Sequence, residues 1–173
     1  MQIVLAKSDS SIKINFKNMT FNCDEQLSGV AELDFYLLEE TSNWPRIVSD
    51  ANSAQIVFSP SVHSVEASIK PDSISVNVNK STTASGIVHD ISIKMDFLTR
   101  SEALEQLLEQ YENKPGIVKA KFNNEFQKIY GTNIEPLYLV YEDVPGTKID
   151  GEGATVIEIK GKTAKRPVFY TVL

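Results

Sequence analysis

Cysteine occurs once in this chain, at Cys23, and histidine twice, at His63 and His89. One thiol cannot close an internal disulfide, which fits a reducing compartment. Two distant histidines and one cysteine do not make a zinc site of the usual four-ligand kind. They also leave little material for a nucleophile, a base and a group to orient it. His89 precedes Asp90, but adjacent strand residues point to opposite faces, so the two read as strand residues and not as a catalytic pair. Cys23 has no basic neighbour to lower its pKa and reads as a small buried or semi-exposed thiol. The expectation is a non-enzymatic chain with no catalytic residue, no metal, no cofactor and no small-molecule substrate.

Long apolar runs are missing too. No window approaches the roughly 20 apolar residues that cross a bilayer. The opening Met1-Gln-Ile-Val-Leu-Ala-Lys-Ser has no basic start, and its apolar run is too short for a signal peptide. No membrane partner and synthesis in a cytoplasm are expected, which leaves the sequons at Asn18 and Asn79 as chance matches. A basic balance is also lacking: 17 Lys and Arg stand against 23 Asp and Glu, for a net charge of −6. That argues against a non-specific nucleic-acid binder, which needs cations to displace counterions from phosphates. Contact through one local basic patch stays open.

Three motif look-alikes fail on spacing. Gly161-Lys-Thr163 imitates the end of a P-loop, but the earlier glycine would fall at Val156, and a strand follows where a helix is needed. Gly151-Glu-Gly153 lacks the third glycine and the helix of a dinucleotide fingerprint. Asp143, Asp150 and Glu152 surround a glycine-rich turn without the ligand spacing of a calcium loop, and read as a solvated acidic turn.

What the chain has is alternation. Its 173 residues, 42% apolar and 23% charged, suffice for one globular domain spanning 1–173. Ile12, Ile14 and Phe16 alternate with polar residues. So do Leu33, Phe35 and Leu37, with Asp34 and Tyr36 between them, and so do Ile74, Val76 and Val78. The clearest run is Ile91-Ser-Ile-Lys-Met-Asp-Phe97. This period suits strands with one buried and one solvated face. Ser8-Asp-Ser-Ser, Pro71-Asp-Ser and Ser81-Thr-Thr-Ala-Ser-Gly86 supply turns, the last as a loop joining two long hairpin strands.

At Thr99 the period changes. Thr99 with Glu102 fits a capping box. Ala103, Leu104, Leu107, Leu108 and Tyr111 follow at helical spacing, and Asn113-Lys-Pro-Gly116 ends the helix. Glu102, Glu105, Glu109 and Glu112 share another arc, either a solvated back or an acidic docking stripe for a neighbouring subunit. Strands resume at Val118, Ala120 and Phe122, alternating with lysines. A turn at Asn123-Asn124 leads back through Phe126 to Tyr130. Leu137, Leu139 and Tyr141 follow, then Val144-Pro-Gly146, and two further strands are expected at 154–160 and 166–172. The fold class is therefore mainly β, a sandwich or barrel, with one amphipathic helix near residues 100–112.

Charge is uneven in one place: Lys160, Lys162, Lys165 and Arg166 crowd together near the C-terminal end. They read as a solvated hairpin turn, or as an assembly interface that meets the acidic helix residues Glu102, Glu105, Glu109 and Glu112 of another copy. A channel carrying nucleic acid is the other use such a patch could have.

From Lys128-Ile-Tyr-Gly-Thr-Asn-Ile-Glu-Pro-Leu-Tyr-Leu-Val-Tyr-Glu, through the turn at Gly151, to Ile157-Glu-Ile-Lys-Gly161 and Arg166-Pro-Val-Phe-Tyr170, the chain resembles small tail-associated proteins of Bacteroidetes phages and prophages. The shared features are structural punctuation, namely a glycine turn before a Pro-Leu strand and a later glycine before a Pro-x-Phe-Tyr ending, so no catalytic residue carries over. The resemblance implies a structural protein of the tail or head–tail connector, located in the virion and made in the host bacterial cytoplasm. Such protomers assemble as rings whose sheets join edge to edge, so the implied partners are other copies of the chain and other phage structural proteins. No long basic run is present, which argues against a position lining a DNA channel. The alternative is a β-sandwich binding module for carbohydrate or protein. That reading needs exposed aromatic side chains on one face, and Trp44, beside Pro45, is the only tryptophan.

Overall fold

The described alternating segments at 33–37, 75–78 and 91–97 lie in one antiparallel sheet, and the α-helix expected near 100–112 packs across it. The computed structural model describes residues 3–4, 29–59, 66–67, 73–84, 86–97, 102–144 and 154–170. Its strands are β1 Ile3–Val4, β2 Val30–Leu37, β3 Thr41–Ser42, β4 Val57–Phe58, β5 Glu66–Ala67, β6 Ser75–Thr83 and β7 Gly86–Phe97. After helix α1, Glu102–Tyr111, come β8 Pro115–Phe122, β9 Gln127–Tyr130, β10 Leu137–Val144, β11 Ala154–Thr163 and β12 Val168–Phe169. The expected run at 12–16, Cys23, His63, Thr99 of the capping box and the turn at 145–153 lie outside the described residues. The mainly β class with one helix near 100–112 holds, in the form of a sheet curled into a half-barrel.

The order β6-β7-β11-β10-β8 is antiparallel throughout. At β8 the sheet branches. β10 pairs with its first residues, Leu137 opposite Gly116, while β9 takes over further along the same edge, Tyr130 opposite Val118. β2 runs along the other edge of β8, and β12 adds to β9.

Register puts one parity of residues on each face. Ile157 faces Met95, while Ile159 lies between Ile93 and Leu139, and all five are fully buried. Helix α1 covers this inner face with Leu104, Leu107, Leu108 and Tyr111, spaced i, i+3, i+4, i+7. Burying each of these contributes roughly 1.5–3 kcal/mol. Ala103, expected on the same stripe, is exposed, because it sits about one residue's rotation off the seam. The helix ends as the sequence predicts, at a left-handed residue. Asn113 has φ 57 and donates its N–H to the Leu139 carbonyl at 2.9 Å. Pro115 and Gly116, read as helix-stopping residues, already belong to β8.

The other face of β2 and β8 departs from the simple alternating picture. Asp34 and Tyr36, placed by alternation on a solvated face, are buried, and so is Ile117. A second core covers them, formed by Val48, Ile56, Ile117, Ile129 and Val168 with Leu38, Trp44, Phe58 and Tyr170 packed around it. The Tyr36 ring lies 4.7 Å from Phe58, and its hydroxyl donates to Asp34 at 3.2 Å. Burial first, and then the Asp34 charge, push the Tyr36 hydroxyl far above the usual tyrosine range. Lys119, expected in solvent, is half-buried with its ammonium over the Tyr170 ring at 4.7 Å. Two local expectations change as well. The expected hairpin of two long strands is present, but its connection is shorter than 81–86: β6 runs to Thr83, which pairs with Gly86 at the start of β7. The basic segment is no hairpin turn, because β11 continues to Thr163 and β12 pairs with β9 instead.

Candidate functional site

The structure divides the basic segment in two. Lys160 and Lys162 lie on the outer face of β11, opposite in parity to the buried Ile157 and Ile159. There they join a mixed ladder of charges. Lys160 and Lys94 each stand 3.3 Å from Glu158, and Lys162 stands 3.7 Å from Asp90. Burial works against the Glu158 charge, but the Ser92 hydroxyl, Lys160 and Lys94 outweigh it and hold the carboxyl below its usual range. Such exposed pairs contribute little to stability. Glu102, Glu105, Glu109 and Glu112 are all exposed on the back of α1, over the opposite face of the sheet. Within one molecule the sheet separates these acids from Lys160 and Lys162.

Lys165 and Arg166 sit elsewhere, in the turn after β11, where they meet a residue that sequence reasoning missed: Arg46. Together they rim a cleft of about 250 Å³ between the loop at 46–48, the turn at 131–135 and the segment 163–168. Its floor is one end of the second core, where Val48, Ile129 and Val168 line it. Only the chain's tertiary path brings Arg46 to a turn so far away in sequence, so no local signal could have found it.

Each wall is pinned. The Asn52 side chain holds the first loop, donating to the Ile47 carbonyl and accepting from the Ser49 N–H, both at 2.8 Å. In the second, Gly131 takes φ 86 and the Thr132 hydroxyl accepts the Glu135 N–H at 3.0 Å. Glu135 then ties the second wall to the third, both carboxylate oxygens accepting the Ala164 N–H at 3.0 and 2.9 Å. Asp50 closes the frame. It accepts the Phe169 N–H at 2.8 Å and pairs with Arg166 at 2.6 Å. The Phe169 amide first, and then Arg166, hold the Asp50 carboxyl below its ordinary range.

A pH dependence follows. Because the folded pKa of Asp50 is depressed, its ionised form stabilises the fold above the unfolded value of about 4, and that contribution is lost as pH falls through the folded pKa. Asp50→Asn should therefore melt below wild type at pH 7, with the gap closing as pH drops below about 4. Thermal melts across that range check it. An equal gap at neutral and acid pH would remove the carboxylate from this role.

The remaining candidates are placed plainly. His89 shares the inward parity of Ile91, while Asp90 turns outward to Lys162, so the two do not meet. Gly161-Lys-Thr163 lies within β11, where the Pro136 carbonyl would stand 2.9 Å from any Cβ on Gly161. Trp44 donates its indole N–H to Thr41 at 3.0 Å and packs against the second core, so it is not a free stacking platform. Asp143 is exposed, and among the described residues no group of three or more His, Cys, Asp or Glu is placed to hold a metal. Among the described residues no helix is long and apolar enough to cross a membrane.

Comparison with protein-family models, curated proteins and solved structures finds no match.

Proposed function

We propose that this chain is a non-enzymatic structural protein of a phage tail or head–tail connector, working in the virion by oligomeric assembly with copies of itself and with other phage structural proteins. The observation that carries the assembly reading is the outer edge of β6. This strand runs nine residues, pairs with β7 on one side, and has no strand beside its other edge among the described residues. Such an edge presents a row of backbone donors and acceptors that a further strand can complete, and proteins that stay monomeric usually blunt it with charge, proline or a bulge. Here Lys80 is the only charged residue in Ser75–Thr83, and there is no proline. Val78, on the inner face, is 38% exposed at this margin. Beyond the end of β11, where Thr163 faces His89, the β6–β7 ribbon continues to the Thr83–Gly86 pair with no other strand beside it among the described residues, and Ile87 is 45% exposed. A two-stranded ribbon is marginal without cover. The resemblance at 128–170 adds the viral context.

The test is solution mass by light scattering over a range of concentrations. Wild type should self-associate, and Val78→Lys, which puts a charge at the inner margin of the open edge, should reduce it to the monomer without lowering its melting temperature by more than a few degrees. A wild type that stays monomeric even with neighbouring virion proteins supplied would sink the reading.

A further inference from the structure

The cleft between 46–48, 131–135 and 163–168 goes beyond this assembly reading. Its volume of about 250 Å³ lies below the roughly 300–1,000 Å³ that encloses a cofactor or drug-sized molecule, which leaves room for one or two large apolar side chains. The floor suits them, since it is lined by the aliphatic side chains of Val48, Ile129 and Val168. Apolar surface continues onto the lip, where Ile47 is 60% exposed and Ile134, at 77%, is the most exposed large apolar side chain described. A small ligand seated on the floor would leave that lip in water, whereas a chain segment crossing the cleft would cover it.

The charge around the cleft selects the segment. Three of its four charged lining residues are cations, in a protein whose net charge is −6. Arg166 is committed to Asp50, and the one acid, Glu135, is committed to the Ala164 amide. Arg46 and Lys165 form no ion pair among the described residues. The walls are already held by side-chain hydrogen bonds, so docking would require little further ordering of the site. We propose that this cleft docks an acidic peptide segment of a partner protein, seating one large apolar side chain on Val48, Ile129 and Val168 while flanking carboxylates face Arg46 and Lys165.

The probe is a library of random ten-residue peptides selected on the full chain, with the Ala164→Phe variant as counter-selection. Ala164 is exposed and its hydrogen bonds to Glu135 come from its backbone, so phenylalanine fills the cleft without disturbing the frame. Enriched peptides should combine acidic residues with one large apolar residue. In fluorescence anisotropy their affinity should drop at least about tenfold on Ala164→Phe and on the double change Arg46→Glu with Lys165→Glu, and should fall with added salt as exposed charges are screened. Thermal melts within a few degrees of wild type show that both variants remain folded. Running the same titrations on Val78→Lys keeps peptide capture separate from self-association, so either idea can fail alone. No enrichment over the filled variant, or equal binding by the charge-reversed one, overturns the proposal. Decanoate binding as tightly as the selected peptides would assign the cleft to a free carboxylate and overturn it too.

Discussion

Alanine in place of Gly116 should destabilise the protein by about 3 kcal/mol, the upper end of what overpacking usually costs. Gly116 stands where three strands converge, with Leu37 of β2 on one side and Leu137 of β10 on the other. A Cβ there would overlap the tip of the Phe35 ring and come within 2.6 Å of the Tyr36 carbonyl oxygen. The ring belongs to a fully buried side chain, and the carbonyl belongs to a strand paired with β8 at every residue from Glu32 to Leu37, so neither can retreat cheaply. Against a total stability of about 5–15 kcal/mol for a typical domain, the change is large. Urea unfolding should show it as a lower midpoint. Phe35→Leu added to Gly116→Ala should recover part of the loss by removing the ring tip that the new Cβ meets, with the Tyr36 carbonyl accounting for the rest. A Gly116→Ala midpoint equal to wild type would mean that the strands do not approach this closely.

Leu107→Ala should cost about 2–5 kcal/mol, the range for emptying a packed core position. Leu107 is 5% exposed and lies between Leu104 and Leu108 on the face of α1 that closes the inner core. Two residues earlier on the same helix, Glu105→Ala should change stability by about 0.5 kcal/mol or less, because its side chain is solvated. The helix acids do reach Tyr141 on β10. Burial first, and then the charges of Glu109, Glu112 and Glu105, raise the Tyr141 hydroxyl above its usual range. The two alanine variants compared by thermal melts decide which face of α1 meets the sheet, and a reversal of their order would turn the helix around.

Local patterning was readable wherever a segment had one dry face and one wet one. The strand at 91–97 and the helix over 102–111 both carry that signal, because alternation at period 2 or 3.6 is the direct imprint of one-sided burial. It misled at β2 and β8, where Asp34, Tyr36 and Lys119 read as solvent-facing and are covered by a segment from elsewhere in the chain. Burial of the Tyr36 hydroxyl is offset by its hydrogen bond to Asp34, and burial of the Lys119 ammonium by its place over the Tyr170 ring. A residue type records how often its kind is wet, not whether a loop will fold over it.

The same limit applies to the candidate site. The run from Lys160 to Arg166 was visible as a cluster because its cations are close in sequence, yet strand geometry turns Lys160 and Lys162 onto the outer face and delivers Lys165 and Arg166 to the cleft with Arg46. The acidic face of α1 was equally visible, and the structure puts the sheet between it and Lys160 and Lys162. By itself the sequence determined the mainly β class, the one helix, its buried leucines and its stop near Asn113, since each depends on neighbours within a few residues. Only the tertiary structure decided the branch at β8, the second core, the place of β6 at the end of the strand order among the described residues, and the cleft. These depend on which distant segments pair, and pairing is settled by the packing of the whole sheet rather than by any local pattern.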